Sequence, residues 1–125
     1  MKKLILISAV LIISLALLFS GCYDAFKTFC PNPDASKITA SRGTIGTGGM
    51  VISGAAGAVG TGATVKVTDK YGHTTTTTAD ENGGFTLMEA DLPQDFDHTL
   101  GNIIEVTQES EDCRESGEAE VTIIP

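Results

Sequence analysis

Few positions in this chain carry chemistry, and the densest is the stretch from Asp91 to His98. Asp91, Asp95, Asp97 and His98 bring three carboxylates and an imidazole close together in sequence, the donor types that take a divalent metal ion. No second histidine and no fixed ligand spacing accompany them, so the competing reading is a solvated acidic loop. His73 is the other histidine of the chain and belongs to a different segment. The serines stand outside any nucleophile elbow, and neither histidine sits in a recognisable triad pattern. The expectation is a protein that is not an enzyme and uses no cofactor.

Two glycine-rich stretches need the same scrutiny. Gly43 to Gly62 holds eight of the fourteen glycines, but no Lys-Ser/Thr closes the run and no helix pattern follows, as a phosphate cradle requires. Asp80-Glu81-Asn82-Gly83-Gly84 begins like a calcium loop. Position twelve from its first residue is Asp91, where that loop needs a bidentate Glu, and Phe85 and Leu87 alternate as a strand in between. A hairpin turn accounts for it better.

The third kind of chemistry is acylation. Lys2 and Lys3 precede an apolar run from Leu4 to Phe19, and Ser20-Gly21 then leads into Cys22. Charge, apolar run and small residues are the three parts of a secretory signal. Leu18-Phe19-Ser20-Gly21-Cys22 resembles the lipobox of bacterial lipoproteins, with Phe19 where Leu is usual. The resemblance implies cleavage before Cys22 and a lipid on its sulfur. Sixteen apolar residues make roughly 24 Å of helix, short of the roughly 30 Å hydrocarbon core, which argues against an uncleaved anchor. The implied address is the cell envelope, lipid-anchored. Tyr23, with Asp24 one place after it, favours the outer membrane where a cell has two.

If Cys22 carries lipid, Cys30 and Cys113 remain. An even remainder in an oxidising compartment suggests one disulfide, the alternative being free or intermolecularly paired thiols. No C-x-x-C pair or zinc spacing competes. From Cys22 onward six basic residues face sixteen acidic ones, a formal charge of −10. Such a surface repels nucleic acid and anionic headgroups, so membrane attachment falls to the acyl chains.

These residues need elements to hold them. Residues 1–21 read as signal, and residues 22–42, with Pro31 and Pro33, read as a tether. Phe26 and Phe29 in the tether suggest contact with the lipid interface or with an edge of the domain. Residues 43–125 read as one domain. Strands are expected to begin at Met50, Thr64, His73, Gly84, Asn102 and Ala119, with a possible further strand between Ile38 and Ile45. Alternation turns Val51, Val65, Val67, Phe85, Leu87, Ile104, Val106, Val121 and Ile123 inward. Thr74 to Thr78, five threonines in a row, has the length of one strand and lies between two turns. Six or seven short strands without helical periodicity describe an all-β antiparallel Greek-key β-sandwich.

Gly62-Ala63-Thr64-Val65-Lys66-Val67-Thr68-Asp69, then Gly72, then Thr77 to Phe85 with its Asp80-Glu81-Asn82-Gly83-Gly84 turn, resembles the repeat of bacterial immunoglobulin-like domains. It is also similar to carboxypeptidase regulatory-like domains on a transthyretin-like sandwich. The likeness covers about Met50 to Met88 and rests on turn glycines and alternating valines. It implies a fold and leaves the activity open.

The functional expectation is an envelope lipoprotein with a non-enzymatic binding or structural role towards a protein or glycan partner. A small-ligand or divalent-metal binder using Asp91 to His98 is the alternative. A Cys30–Cys113 bond would leave at most roughly 28 Å of free chain after Cys22. It would turn the Glu109 to Gly117 loop towards the membrane and offer the Asp69 to Gly72 and Leu92 to Gly101 loops to a partner.

Overall fold

A computed structural model describes residues 27–43 and 49–125. The signal, the Leu18 to Cys22 motif and Phe26 lie outside the described residues. Seven strands follow in order: β1 Ile38–Arg42, β2 Met50–Gly54, β3 Thr64–Thr68, β4 Thr74–Thr78, β5 Phe85–Leu87, β6 Ile103–Glu109 and β7 Ala119–Ile124. Two short 3₁₀ turns, Ala35–Lys37 and Glu89–Asp91, accompany them, and there is no α-helix among the described residues. The fold is all-β, as the alternation of apolar residues predicts.

The strands form one sheet in the order β4-β3-β6-β7-β1-β2-β5, curled in the manner of a barrel. β7 makes this possible by serving two neighbours. Its first part pairs antiparallel with β6, from Ile104 opposite Val121 to Val106 opposite Ala119. Its end pairs parallel with β1, Ile123 beside Ala40 and Ile124 beside Ser41. The sheet is therefore mixed, which corrects the expectation of a purely antiparallel one. A parallel pair cannot be closed by a tight turn, and here nearly the whole domain separates its two strands.

β1 is the further strand expected between Ile38 and Ile45. Ile38 to Arg42 lies between β7 and β2, with Ile38 and Ala40 buried. The chain is tied down earlier still, by Cys30 and by Asp34, whose N–H donates to the Ala58 carbonyl at 2.8 Å.

Both inner faces alternate as a half-buried strand must. Val65, Val67, Ile104, Val106 and Val121 face Ile38, Ala40, Met50, Ile52, Leu87 and Ile123 across one apolar core, and Phe85 and Phe96 plug its margins. Met50 and Ile52 point inward, while Val51 is only half-buried and points away. Met50-Val51-Ile52 is apolar at every position, so alternation alone cannot choose its face. Ladder pairing chooses, with Ile52 held between Ala40 and Leu87.

β4 closes the side of the core with its threonines. Thr75 and Thr77 stand opposite Val67 and Val65 and are half-buried, while Thr74, Thr76 and Thr78 face water. The Asp80 turn that follows folds as an Asx turn, Asp80 Oδ1 accepting from the N–H groups of Asn82 and Gly84 at 2.8 and 2.9 Å. Gly83 has φ +75°, and a Cβ there would strike the Val59 carbonyl. This turn joins no hairpin, because β4 pairs with β3 and β5 pairs with β2. It carries the chain from one flank of the sheet to the other.

Candidate functional site at the loop end

Every strand runs between two ends of the domain, and pairing sorts the loops between them. The β3–β4 turn, the segment Met88 to Asn102 and the end of β7 lie together at one end. The Cys113 loop, the Gly54 to Ala63 segment and the Asp80 turn lie at the other.

Asp69 organises the first end. It begins the β3–β4 turn, which closes through Asp69 N–H to the His73 carbonyl at 3.0 Å and needs Gly72 at φ +90°. Its carboxylate is buried and saturated. Oδ1 accepts from the amides of Tyr71 and His73, both at 2.9 Å. Oδ2 meets His73 Nδ1 at 2.8 Å and accepts the Asp97 amide at 2.9 Å. Burial by itself would raise the Asp69 pKa, but these hydrogen bonds outweigh it and hold the group below its ordinary value.

Asp97 repeats the arrangement one loop away. Its carboxylate accepts from Asn102 Nδ2 at 2.6 Å and from Thr99 N–H at 3.0 Å. Burial opposes the ionised form here as well, and the contacts from Thr99 and Asn102 with the charge of Lys70 prevail, so its pKa is lowered. Asn102 in turn accepts the Ile123 amide on its carbonyl at 2.9 Å, tying the loop to β7. Phe96 fills the space beneath.

The four residues singled out as metal donors therefore have separate occupations. Asp97 is a buried loop brace. Asp91 Oδ2 accepts the Met88 amide at 2.9 Å. His98 Nε2 lies 3.2 Å from Glu89 Oε1 without the alignment of a hydrogen bond, and the other Glu89 oxygen accepts the Met50 amide at 2.6 Å. Asp95 stays exposed, 3.8 Å from His73 Nε2. Among the described residues no three His, Cys, Asp or Glu side chains converge as a metal site would require. Two residues that do organise this end, Asp69 and Glu89, are not among the candidates read from sequence. Asp69 is visible there only as the start of a turn, and nothing local marks its partner Asp97.

Around this braced frame the surface is apolar. Of six large hydrophobic side chains exposed in the described part, Tyr71, Met88, Leu100, Ile103 and Ile124 belong to this end. Phe29 is the sixth and belongs to the other. Carboxylates of Glu89, Asp91 and Asp95 and the ammonium of Lys70 stand among them.

At the far end Cys30 and Cys113 are joined, their Cα atoms 5.0 Å apart. Gln108 clamps the same region, its Oε1 accepting the Gly60 amide and its Nε2 donating to the Pro31 carbonyl, both at 2.7 Å. Between these segments runs an open cavity of about 270 Å³, lined by Pro31, Val59, Ala63 and Gln108 among others. Its polar groups hold the loops together.

No protein-family model matches the chain, and no curated protein matches it.

Proposed function

We propose that this protein is a lipid-anchored cell-envelope module that uses the loop end of its β-domain to bind a partner protein without catalysis. The observation that carries this is the segregation of exposed apolar side chains. Five of the six lie at the end opposite the disulfide, on loops braced by buried carboxylates. Exposed apolar groups on a rigid frame are what an interface core needs, because little ordering entropy is lost when they are covered. The lipobox residues supply the address, with Cys22 acylated and the outer membrane favoured in a cell that has two. In fold the domain is a Greek-key sandwich of the immunoglobulin-like or transthyretin-like kind. Turn glycines and alternating valines support that finer assignment.

Position-specific photocrosslinking in cells tests the proposal. A crosslinker at Met88 should capture one discrete protein, and Tyr71→Ser with Leu100→Ser should abolish the product. Equal capture from Thr61 at the opposite end, or capture of glycan alone, would overturn it. Cys22→Ser should release the chain from membranes, and unchanged fractionation would remove the anchor from the proposal.

A second reading, a divalent-cation binder at the same end, has one observation in its favour. His73 presents Nε2 towards Asp95 while Asp69 holds its Nδ1, the outer support that metal-bound imidazoles commonly have. Calorimetry with zinc and calcium decides it, and absence of heat at millimolar ion would end this reading.

A further inference from the structure

Phe29 is the most exposed large hydrophobic side chain described, at 70%, yet its backbone is among the most firmly held. It forms a parallel bridge with Arg114. The Cys30 amide donates to the Arg114 carbonyl and the Arg114 amide to the Thr28 carbonyl, both at 2.8 Å. The disulfide links the residues next to each, Cys30 and Cys113. Arg114 Nε donates to the Lys27 carbonyl at 3.1 Å, and its guanidinium lies 5.2 Å from the centre of the Phe29 ring. An aromatic ring with the Arg114 guanidinium beside it is thus held at the end where the chain arrives from Cys22. The disulfide and the bridge fix the backbone on either side of an exposed ring.

We infer that Phe29 and Arg114 form a membrane-seating tip, the ring entering the boundary between headgroups and acyl chains with the guanidinium held beside it. The inference rests on the lipid-anchor reading. Seven residues lead from Cys22 to Phe29, so their Cα atoms lie within about 25 Å of each other along an extended chain and closer along any other path. Such a tether cannot carry the tip beyond reach of the bilayer surface. An amphipathic pair of this kind suits the interface, where an apolar face is buried a few ångströms deep and a cation stays at headgroup level. Glu109, Glu111, Asp112 and Glu118 surround the tip in sequence and limit its depth. Their charge makes attraction to anionic lipid weak, so seating depends on the ring. The consequence is orientation: with the tip seated, the apolar loop end faces away from the membrane.

The chain has no tryptophan, so one placed at either end reports alone. Acylated Phe29→Trp and Tyr71→Trp proteins are reconstituted into vesicles of phosphatidylethanolamine and phosphatidylglycerol, with flotation as the measure of anchoring. Emission from position 29 should shift to the blue and be quenched by lipids brominated near the carbonyl end of the acyl chain. Emission from position 71 should remain that of an indole in water. Raising the phosphatidylglycerol fraction should leave the first signal unchanged. A floating protein with water-like emission at position 29 overturns the inference and leaves the anchor standing, whereas a protein that does not float removes the anchor itself. As a check free of tryptophan, acylated Phe29→Ser should expose the Glu111–Asp112 loop on vesicles to a Glu-specific protease that spares the parent. Equal cleavage of both also overturns the inference.

Discussion

Asp69 Oδ2 accepts the Asp97 amide at 2.9 Å, across 28 positions of sequence. That bond makes the β3–β4 turn and the Leu92 to Asn102 segment one body, although no strand pairing joins them. The surface proposed for partner binding is therefore held by a buried carboxylate rather than by the sheet.

Asp69→Ala should cost stability heavily. It leaves the amides of Tyr71, His73 and Asp97 without their acceptor, and His73 Nδ1 without its partner. Unsatisfied buried donors cost about 1–3 kcal/mol each before relaxation, so a net loss of roughly 2–4 kcal/mol is expected. Urea unfolding checks it, with the midpoint falling and the slope little changed.

Stability should fall in acid in a way that traces to the same residues. Asp69 and Asp97 are both held below the ordinary carboxylate value of 3.8 in the folded chain. A folded pKa lower than the unfolded one means that the unfolded chain binds protons more readily, so stability rises with pH between the two values. The contribution is complete above about pH 5 and is lost as the pH drops through 3.8 towards the folded values. Urea midpoints measured from neutral pH downward should show this slope, and Asp69→Asn should flatten it.

Reduction of the disulfide should destabilise the domain without abolishing its strands. The bond spans 83 positions, for which the chain-entropy account gives roughly 4–5 kcal/mol. Thiol titration of unfolded, non-reduced, acylated protein should find none free. The thermal midpoint should fall on reduction and fall no further in Cys30→Ser with Cys113→Ser.

Ile52→Ala and Val51→Ala, one position apart, should differ sharply. Ile52 is fully buried between Ala40 and Leu87, whereas Val51 is half-exposed. Truncating the first should cost about 2–5 kcal/mol and the second under about 1.5 kcal/mol. Similar losses would show that β2 presents its other face to the core.

Much of the fold is legible along the chain, for a local reason. Thr64 to Thr68, Ile104 to Thr107 and Ala119 to Ile123 alternate apolar with polar residues, and period two is the signature of a strand with one wet face. Asp69-Lys70-Tyr71-Gly72 and Asp80 to Gly84 announce turns because Asp can bond its own following amides and Gly accepts positive φ. The disulfide partners are legible by elimination, given a lipid on Cys22. Where every residue is apolar, as in Met50-Val51-Ile52, or where Pro31 and Pro33 suggest a tether, local pattern loses its power to discriminate.

Sequence by itself determined that this chain is built of short strands and tight turns and that it is acidic. Only the tertiary structure decided that β7 pairs antiparallel with β6 and parallel with β1, that Ile52 rather than Val51 enters the core, and that Asp91, Asp97 and His98 meet different partners. The reason is range. Alternation and turn chemistry act between neighbours, whereas strand order and the pairing of Asp69 with Asp97 depend on which distant surfaces meet when the core closes.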